Sequence, residues 1–424
     1  MESVLLEDNP HWTDAGAYDR FVRREALERL SALLSAKEVL AIIGARRVGK
    51  STLAKLLIKE LMQTGVEAKN IFFINLEKPL FIPYKSDAAY LEKVYDNYLK
   101  LAEPDTKKIL YLFIDEIQVF RNWEVFVKSK YETGNIKFVI TGSNASLLTS
   151  EFATLLTGRV LKMRLHSFSF TEFLAYRNID VSNAIAIVQN RIAIQKAKEE
   201  YLKWGGYFPV ISNPDERVKK QLLSNIAEDI ILKDIVPRHK IKNAAEIRDL
   251  FYYLVSNAAT LVNYASLAKK LGLDAKTVKE YIGYFEDNFL ISLVSRYHNK
   301  LTETIKSAKK IYVNDNGFLN LGVNPERNFG NALENLVFTV LDSKGENITY
   351  LKENAEVDFF VNDFLIQVAY SINDDRTRSR ELKAFDEFRK PKYKAVLVTF
   401  DTNETLNDTR IISFDRFVLT NVLG

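Results

Sequence analysis

An α/β chain is what this sequence predicts: a mostly parallel sheet with helices on both faces, then a helical stretch, then a smaller second α/β unit. Two observations carry that prediction. Short apolar runs, "EVLAIIG" (38–44), "NIFFINLE" (70–77), "ILYLFIDEIQ" (109–118) and "IKFVITGSN" (136–144), alternate with stretches of helical spacing. Strands interleaved with helices pair in parallel. After a largely helical interval the apolar runs return from residue 308. The bulk numbers agree, since 424 residues exceed one ordinary core and 47% hydrophobic against 27% charged is a globular balance.

Taken in order, residues 17–36 place apolar positions at helical spacing among charges, and the run at 38–44 follows as a buried strand. A helix is expected from Lys50. From about 168 to 250 the pattern is helical, interrupted by "KWGGYFPV" (203–210). Within 247–296, "IRDLFYYLVSNA", "NYASLAKKLGL" and "DAKTVKEYIGYFEDNFLI" read as three helices with small polar breaks, the layout of a helix-turn-helix with a following wing strand. Beyond it, "AKKIYVND", "ITYLKE", "AEVDFFV", "FLIQVAY" and "YKAVLVTF" read as strands, with helices at 330–342 and 378–389. The expected division is 1–165, 166–245 (a helical lid), 246–307 (winged-helix-like) and 308–424.

Composition excludes several chemistries. Cysteine is absent, which rules out disulfides, thiolate zinc sites and thiol catalysis and suits a reducing cytoplasm. The four histidines, His11, His166, His239 and His298, have no metal-binding spacing. The start, "MESVLLEDNPHW", lacks a basic region followed by an apolar run, and no apolar run reaches bilayer length. A soluble cytoplasmic protein without a membrane partner is therefore expected. The net charge of +4 permits nucleic-acid contact without demanding it.

The strongest chemical signal is "GARRVGKST" (44–52), placed between an apolar strand and a helix. Gly44 and Gly49 let the backbone curl, so that amides of Ala45, Arg46, Arg47, Val48 and Thr52 can face a phosphate at a helix start. Lys50 is expected on the β- and γ-phosphates, and the Ser51 hydroxyl on Mg²⁺. Downstream, "LYLFIDEIQ" ends an apolar strand in Asp115 and Glu116. Asp115 is the expected magnesium ligand and Glu116 the group that polarises the attacking water. A further strand ends in "TGSN" (141–144), where Ser143 or Asn144 is the candidate polar sensor of the γ-phosphate.

The segments "GARRVGKST", "INLEKP", "LFIDEIQ", "VITGSNASLL" and "LLTGRV", in this order, resemble the AAA-type P-loop ATPases of prokaryotes. The resemblance is to the group that joins such an ATPase to a DUF4143-type C-terminal region. It spans nearly the whole chain, is specific in the ATPase part and looser beyond. It implies ATP and Mg²⁺ as cofactors, with Lys50, Ser51, Asp115, Glu116 and Asn144 in the roles given above. It implies further that Arg159, in "TGRV", serves the γ-phosphate, in cis or in trans. Pro209, in "GGYFP" (205–209), matches a turn that packs against adenine in related ATPases.

The resemblance also implies a restriction-endonuclease-like fold for 308–424. Glu334 and Asp358 stand where that fold places acids, but the next strand offers Gln367 and Ala369 for its acid and lysine, and Lys352 is the nearby substitute. A nuclease is therefore not expected. Residues 269–287 set Lys269, Lys270, Lys276 and Lys279 against Asp274, Glu280, Glu286 and Asp287, a zero balance ill suited to phosphate backbones. The expected function is a Mg²⁺-dependent ATPase whose nucleotide state moves the later domains. The alternatives are a slow nucleotide switch acting on DNA or a protein partner and, more remotely, an ATP-gated nuclease.

Overall fold

A computed structural model describes residues 1–145, 158–323, 328–406, 408–420 and 422. The chain divides into two compact units, Met1–Leu165 and His166–Gly424. Among the described residues no helix is long and apolar enough to cross a membrane. The segment "ASLLTSEFATLL" (145–156), which reads from sequence as a short helical stretch, lies but for its first residue outside the described residues.

Among the described residues the first unit holds five strands: β1 (Val39–Ile43), β2 (Ile71–Asn75), β3 (Leu110–Asp115), β4 (Ile136–Gly142) and β5 (Val160–Arg164). All pair in parallel, in the order β2-β3-β4-β1-β5. The sequence reasons are plain for the middle strands. "IKFVITG" is buried at every position, and a strand covered on both faces reads as a continuous apolar run. β5, "VLKMR", is a half-exposed edge strand, so its pattern was too polar to read. Leu112, Ile114, Phe126, Phe138 and Ile140 build the core beside the sheet.

The region before β1 differs from the expected long helix. Helix occupies Glu2–Asp8 and Ala26–Ala32, with a tight turn at Pro10–Trp12. The residues after the first helix meet the open edge of β2. The Asn9 amide donates to the Phe73 carbonyl (2.8 Å) and its oxygen accepts from the Phe73 amide (2.6 Å), while Asp8 accepts from Asn75 N (3.0 Å). Side chains thus satisfy an edge that would otherwise be left to pair elsewhere.

The second unit carries a nine-stranded mixed sheet. Its strands are β6 (Thr260–Leu261), β7 (Ile291–Arg296), β8 (Lys309–Val313), β9 (Thr349–Lys352), β10 (Glu356–Val361), β11 (Phe364–Ala369), β12 (Lys394–Thr399), β13 (Glu404–Leu406) and β14 (Thr409–Ser413). The order is β13-β14-β12-β11-β10-β9-β7-β8-β6. Helices Ala244–Ser256, Tyr264–Leu271 and Ala275–Asp287 lie where three were expected. Asn263 and Asp274 cap the latter two, and Gly272 between them takes the left-handed conformation (φ 68°) that ends a helix. A boundary at 307/308 does not hold, because β7 and β8 pair as an antiparallel hairpin across it. β7 also pairs in parallel with β9, which fuses the strands after the three helices to the later sheet.

Candidate nucleotide-phosphate site

In the first unit the strand order reverses around β1, and the crevice beyond the carboxyl ends of such strands is where ligands bind in open parallel sheets. The 44–50 loop leaves β1 at that edge. Gly44 admits no side chain, since a Cβ there would lie 2.3 Å from the Leu165 carbonyl oxygen. Gly49 (φ 101°) opens the helix Lys50–Gln63 in a conformation only glycine adopts cheaply, and no side chain caps that helix start. Its first-turn amides and its dipole are therefore directed at the crevice. Buried Arg24 donates to the Val48 carbonyl (2.9 Å) and braces the loop from behind.

Lys50 is buried and points back into its own loop, donating to the carbonyls of Gly44 and Ala45 (3.0 Å each). Its Nζ also stands 3.3 Å from Glu116 Oε1. The Ser51 hydroxyl lies 2.9 and 2.7 Å from the two Asp115 oxygens. Thr141, from β4, donates to Asp115 Oδ1 (2.6 Å) and accepts from the Glu116 amide (3.0 Å), so one hydroxyl ties both acids together. Glu116 takes a left-handed backbone (φ 53°, ψ 48°), which turns the chain sharply after β3. The Gln118 amide then reaches Glu116 Oε2 and, at 3.1 Å, Ser143 Oγ.

The two acids are shifted in opposite directions. Burial, then the charge of Glu116, pushes Asp115 up to about 6, against the pull of Thr141, Ser51 and Lys50. Burial also acts to raise Glu116, but Lys50 beside it and the Gln118 hydrogen bond outweigh that, and its carboxyl lies below the usual range. A hydroxyl and a carboxylate within 3 Å form the hard-oxygen pair that Mg²⁺ takes, and the ion keeps most of its water, so two protein ligands suffice. The donor set fits the group.

The structure brings Gly44 to Thr52, Asp115, Glu116 and Asn144 to this one edge; Asn144 and Ser143 are both buried there. It does not bring Arg159. That residue precedes β5, where Val39 pairs with Val160 and the Val39 amide donates to the Arg159 carbonyl (2.9 Å). It therefore sits at the amino ends of the strands, six residues below Gly44, or roughly 20 Å at ~3.3 Å per residue. Its guanidinium lies over Tyr131 (5.6 Å) and 3.8 Å from Glu132. Of the two roles the resemblance leaves for Arg159, in cis or in trans, this placement speaks against the cis contact. Pro209 belongs to the second unit, in the short helix Phe208–Ile211 after two glycines. Gly206 there is pressed against the Phe168 backbone, and its amide donates to buried Asp315 (2.9 Å).

Thr141, Gln118 and Arg24 were not singled out from sequence. Gln118 lies two residues after Glu116 and Thr141 ends an apolar strand, so both were adjacent to the signal; Arg24 had no local signal.

In the second unit the acids Glu334 and Asp358 do meet, around a lysine that sequence reading missed. Lys310 Nζ contacts Glu334 (3.0 Å), Asp358 (3.0 Å) and Glu356 (2.6 Å). Lys352, the expected substitute, pairs only with Glu356 (2.6 Å) among its described ion pairs. Gln367 accepts from the Asp358 amide (3.1 Å) and donates to Glu381 (2.7 Å). Burial and the neighbouring Asp358 push Glu334 up to about 8 despite Lys310. Among the described residues no three His, Cys, Asp or Glu side chains are arranged to hold a metal ion. Here an ammonium stands between the carboxylates.

Comparison with known proteins adds family matches. An AAA-domain model matches residues 36–174. A domain of unknown function, DUF8612, matches 195–327, so the DUF4143-type description is not what the match gives. An uncharacterized protein of Haemophilus influenzae is 30% identical over 388 residues, 89% of this chain and 92% of that protein. An uncharacterized protein of Methanocaldococcus jannaschii is 33% identical over 363 residues, 82% of this chain and 78% of that protein. A solved RuvB structure of Thermotoga maritima aligns at 17% identity over 66% of this chain and 91% of that one, with a TM-score of 0.30, too low to bear weight.

Proposed function

The chain belongs to the family of these Haemophilus and Methanocaldococcus proteins, with an AAA domain at its head, and from that premise we propose that it binds ATP with Mg²⁺ and hydrolyses it. One observation carries the reading: Lys50, Ser51, Asp115 and Glu116 meet at the carboxyl edge of a parallel sheet, at the uncapped start of a helix. Loop amides and Lys50 hold the β- and γ-phosphates. Ser51 and Asp115 hold the metal, which when bound offsets charge on the phosphate oxygens. Glu116 accepts a proton from the attacking water, whose oxygen bonds to the γ-phosphorus as ADP leaves. Asn144 is the proposed sensor of the γ-phosphate.

In the same reading the nucleotide state acts on the second unit, whose three helices and hairpin form a winged-helix-like element. Nucleotide, with DNA or a protein as a further partner, completes the proposal. The slow-switch alternative has one observation in its favour: Lys50 Nζ stands 3.3 Å from Glu116 Oε1, a contact that competes with the acid's work as base.

Two variants test it. Lys50→Ala is expected to lose ATP affinity, because amides alone do not balance the triphosphate. Glu116→Gln is expected to keep affinity and lose turnover by about 10²–10⁴-fold. Labelled-nucleotide binding and phosphate release measure the two. Parent-level hydrolysis by Glu116→Gln removes that residue as the base.

A further inference from the structure

We infer that the Arg46 side chain distinguishes tri- from diphosphate: it pairs with Glu77 and exchanges that carboxylate for the γ-phosphate of ATP. The inference rests on the ATPase reading and deepens it, because it names a specificity-determining residue of the same site.

Two arginines meet the phosphate loop from different sides. Arg24 is buried and fastened to the Val48 carbonyl, as described above. Arg46 belongs to the loop itself, and its Nη2 donates to Glu77 Oε1 (2.7 Å). Glu77 lies just beyond β2, while the loop leaves β1, and β4 and β3 stand between those two strands. Three strand spacings of ~4.8 Å separate them by ~14 Å. Both segments leave the same edge of a parallel sheet. The ion pair that joins them therefore spans the carboxyl ends of β3 and β4, where Asp115, Glu116, Ser143 and Asn144 stand. A second observation agrees. Burial acts to raise the Glu116 carboxyl, and Lys50, Gln118 and the Arg46 guanidinium lower it. The charge of Arg46 is thus felt at the candidate base.

Of the two partners, Glu77 is the fixed one. Its amide donates to Asn75 Oδ1 (2.8 Å), and the preceding Leu76 amide donates to the Asp115 carbonyl (3.1 Å). Lys78, next in the chain, is tied to Asp8 (2.8 Å) and Glu7 (3.0 Å). The pair itself is open to water, with side chains 21% and 38% exposed for Arg46 and Glu77. An ion pair so exposed is weakly held. A guanidinium offers phosphate two parallel N–H bonds to a more highly charged partner.

Loop amides and a helix start accept phosphate oxygens without regard to how many phosphates follow. Discrimination needs a group near the terminal phosphate. That phosphate is the one the attacking water meets, so it lies beside Glu116, where the charge of Arg46 is felt. ADP lacks it, and with ADP the guanidinium keeps Glu77.

The test measures binding, not turnover. Labelled ADP with Mg²⁺ is displaced from the full chain by unlabelled ADP and by a non-hydrolysable ATP analogue. The ratio of the two affinities is compared for the parent, Arg46→Gln, Glu77→Gln and the double variant. Arg46→Gln should shift the ratio against the triphosphate by about 10–100-fold. Glu77→Gln should shift it the opposite way, by about 2–5-fold, since the competing carboxylate is gone. In the double variant Glu77→Gln should add nothing. Opposite signs are what a structural tie does not give: if the pair only braces the loop, both substitutions weaken both nucleotides together and the ratio stays put. That result overturns the inference while nucleotide binding by the parent stands. A parent that binds neither nucleotide overturns the ATPase reading, and the inference with it.

Discussion

Each unit buries a lysine among carboxylates, and the two clusters behave differently because of what else the lysine touches. Lys50 has one carboxylate contact, at 3.3 Å, and its other partners are carbonyls of a glycine-hinged loop. Those are bonds a phosphate can outcompete. Lys310 has three carboxylates at 2.6–3.0 Å, one for each N–H, and all three come from rigid strands and a helix. Nothing there is left to offer. A buried acid–lysine group is thus not a site by composition; it becomes one when a ligand can replace a partner without leaving a charge stranded.

The sharpest way to break the comparison is to remove each lysine. Lys310→Met leaves buried Asp358 and largely buried Glu334 without their ammonium, while part-exposed Glu356 keeps Lys352, and breaking a buried ion pair from one side costs ~3–5 kcal/mol. Denaturant unfolding of the full chain should show a loss of that size, whereas Lys50→Ala should lose nucleotide affinity with far less stability. Equal, small losses would erase the distinction drawn between the clusters. A closed cluster also predicts no cleavage of single- or double-stranded DNA with Mg²⁺ or Mn²⁺, with or without ATP. Cleavage abolished by Asp358→Ala would show that the cluster opens.

How far the sequence spoke depends on where partners lie along the chain. The phosphate loop and the Asp115–Glu116 pair are each contiguous, so spacing alone exposed them. Thr141 was hidden because its partner Asp115 lies in the neighbouring strand, and only the β3–β4 register brings them together. Lys352 looked close to Asp358, but in the antiparallel β9–β10 pair it is registered with Glu356. Lys310 reaches Asp358 across 48 positions. One clue was available: Lys310 and Tyr312 share a face of "KKIYV" by the two-residue period, an odd polar pair in a buried strand. Arg159 was singled out only through the resemblance of "TGRV", and sequence spacing carried no sign that it precedes β5 and so stands at the amino ends of the strands.

Titration sharpens the comparison less violently. Glu334 is pushed up to about 8 by burial and by Asp358, above its ordinary 4.5. The native chain therefore holds a proton there that the unfolded chain releases between those values. The stability this group contributes is full at low pH and falls as pH rises towards 8, by at most about 1.4 kcal/mol per pH unit. Glu334→Gln cannot titrate, yet its amide oxygen still accepts from Lys310 and Tyr312. Unfolding free energy measured from pH 5 to 8 should be flatter in the variant than in the parent. An unchanged slope would mean that Glu334 is ionised throughout.

The smallest effect is expected at Arg159. Its ion pair with Glu132 is long (3.8 Å) and half exposed, and surface pairs of that kind contribute ~0–1 kcal/mol. Its place at the amino ends of the strands removes it from the phosphate edge of its own chain. Arg159→Ala should therefore keep parent nucleotide affinity and lose at most about 1 kcal/mol of stability. Turnover decides the rest. If ATPase rate per chain is flat with protein concentration and unaffected by the substitution, the residue is structural, a cap on Tyr131. If instead the rate climbs with concentration, and Arg159→Ala mixed with Lys50→Ala regains activity that neither has alone, the arginine serves a neighbouring chain's nucleotide. A loss of turnover in Arg159→Ala that is independent of concentration, with no rescue on mixing, would require a cis role. That outcome contradicts the strand register, and with it the division between the two ends of the sheet.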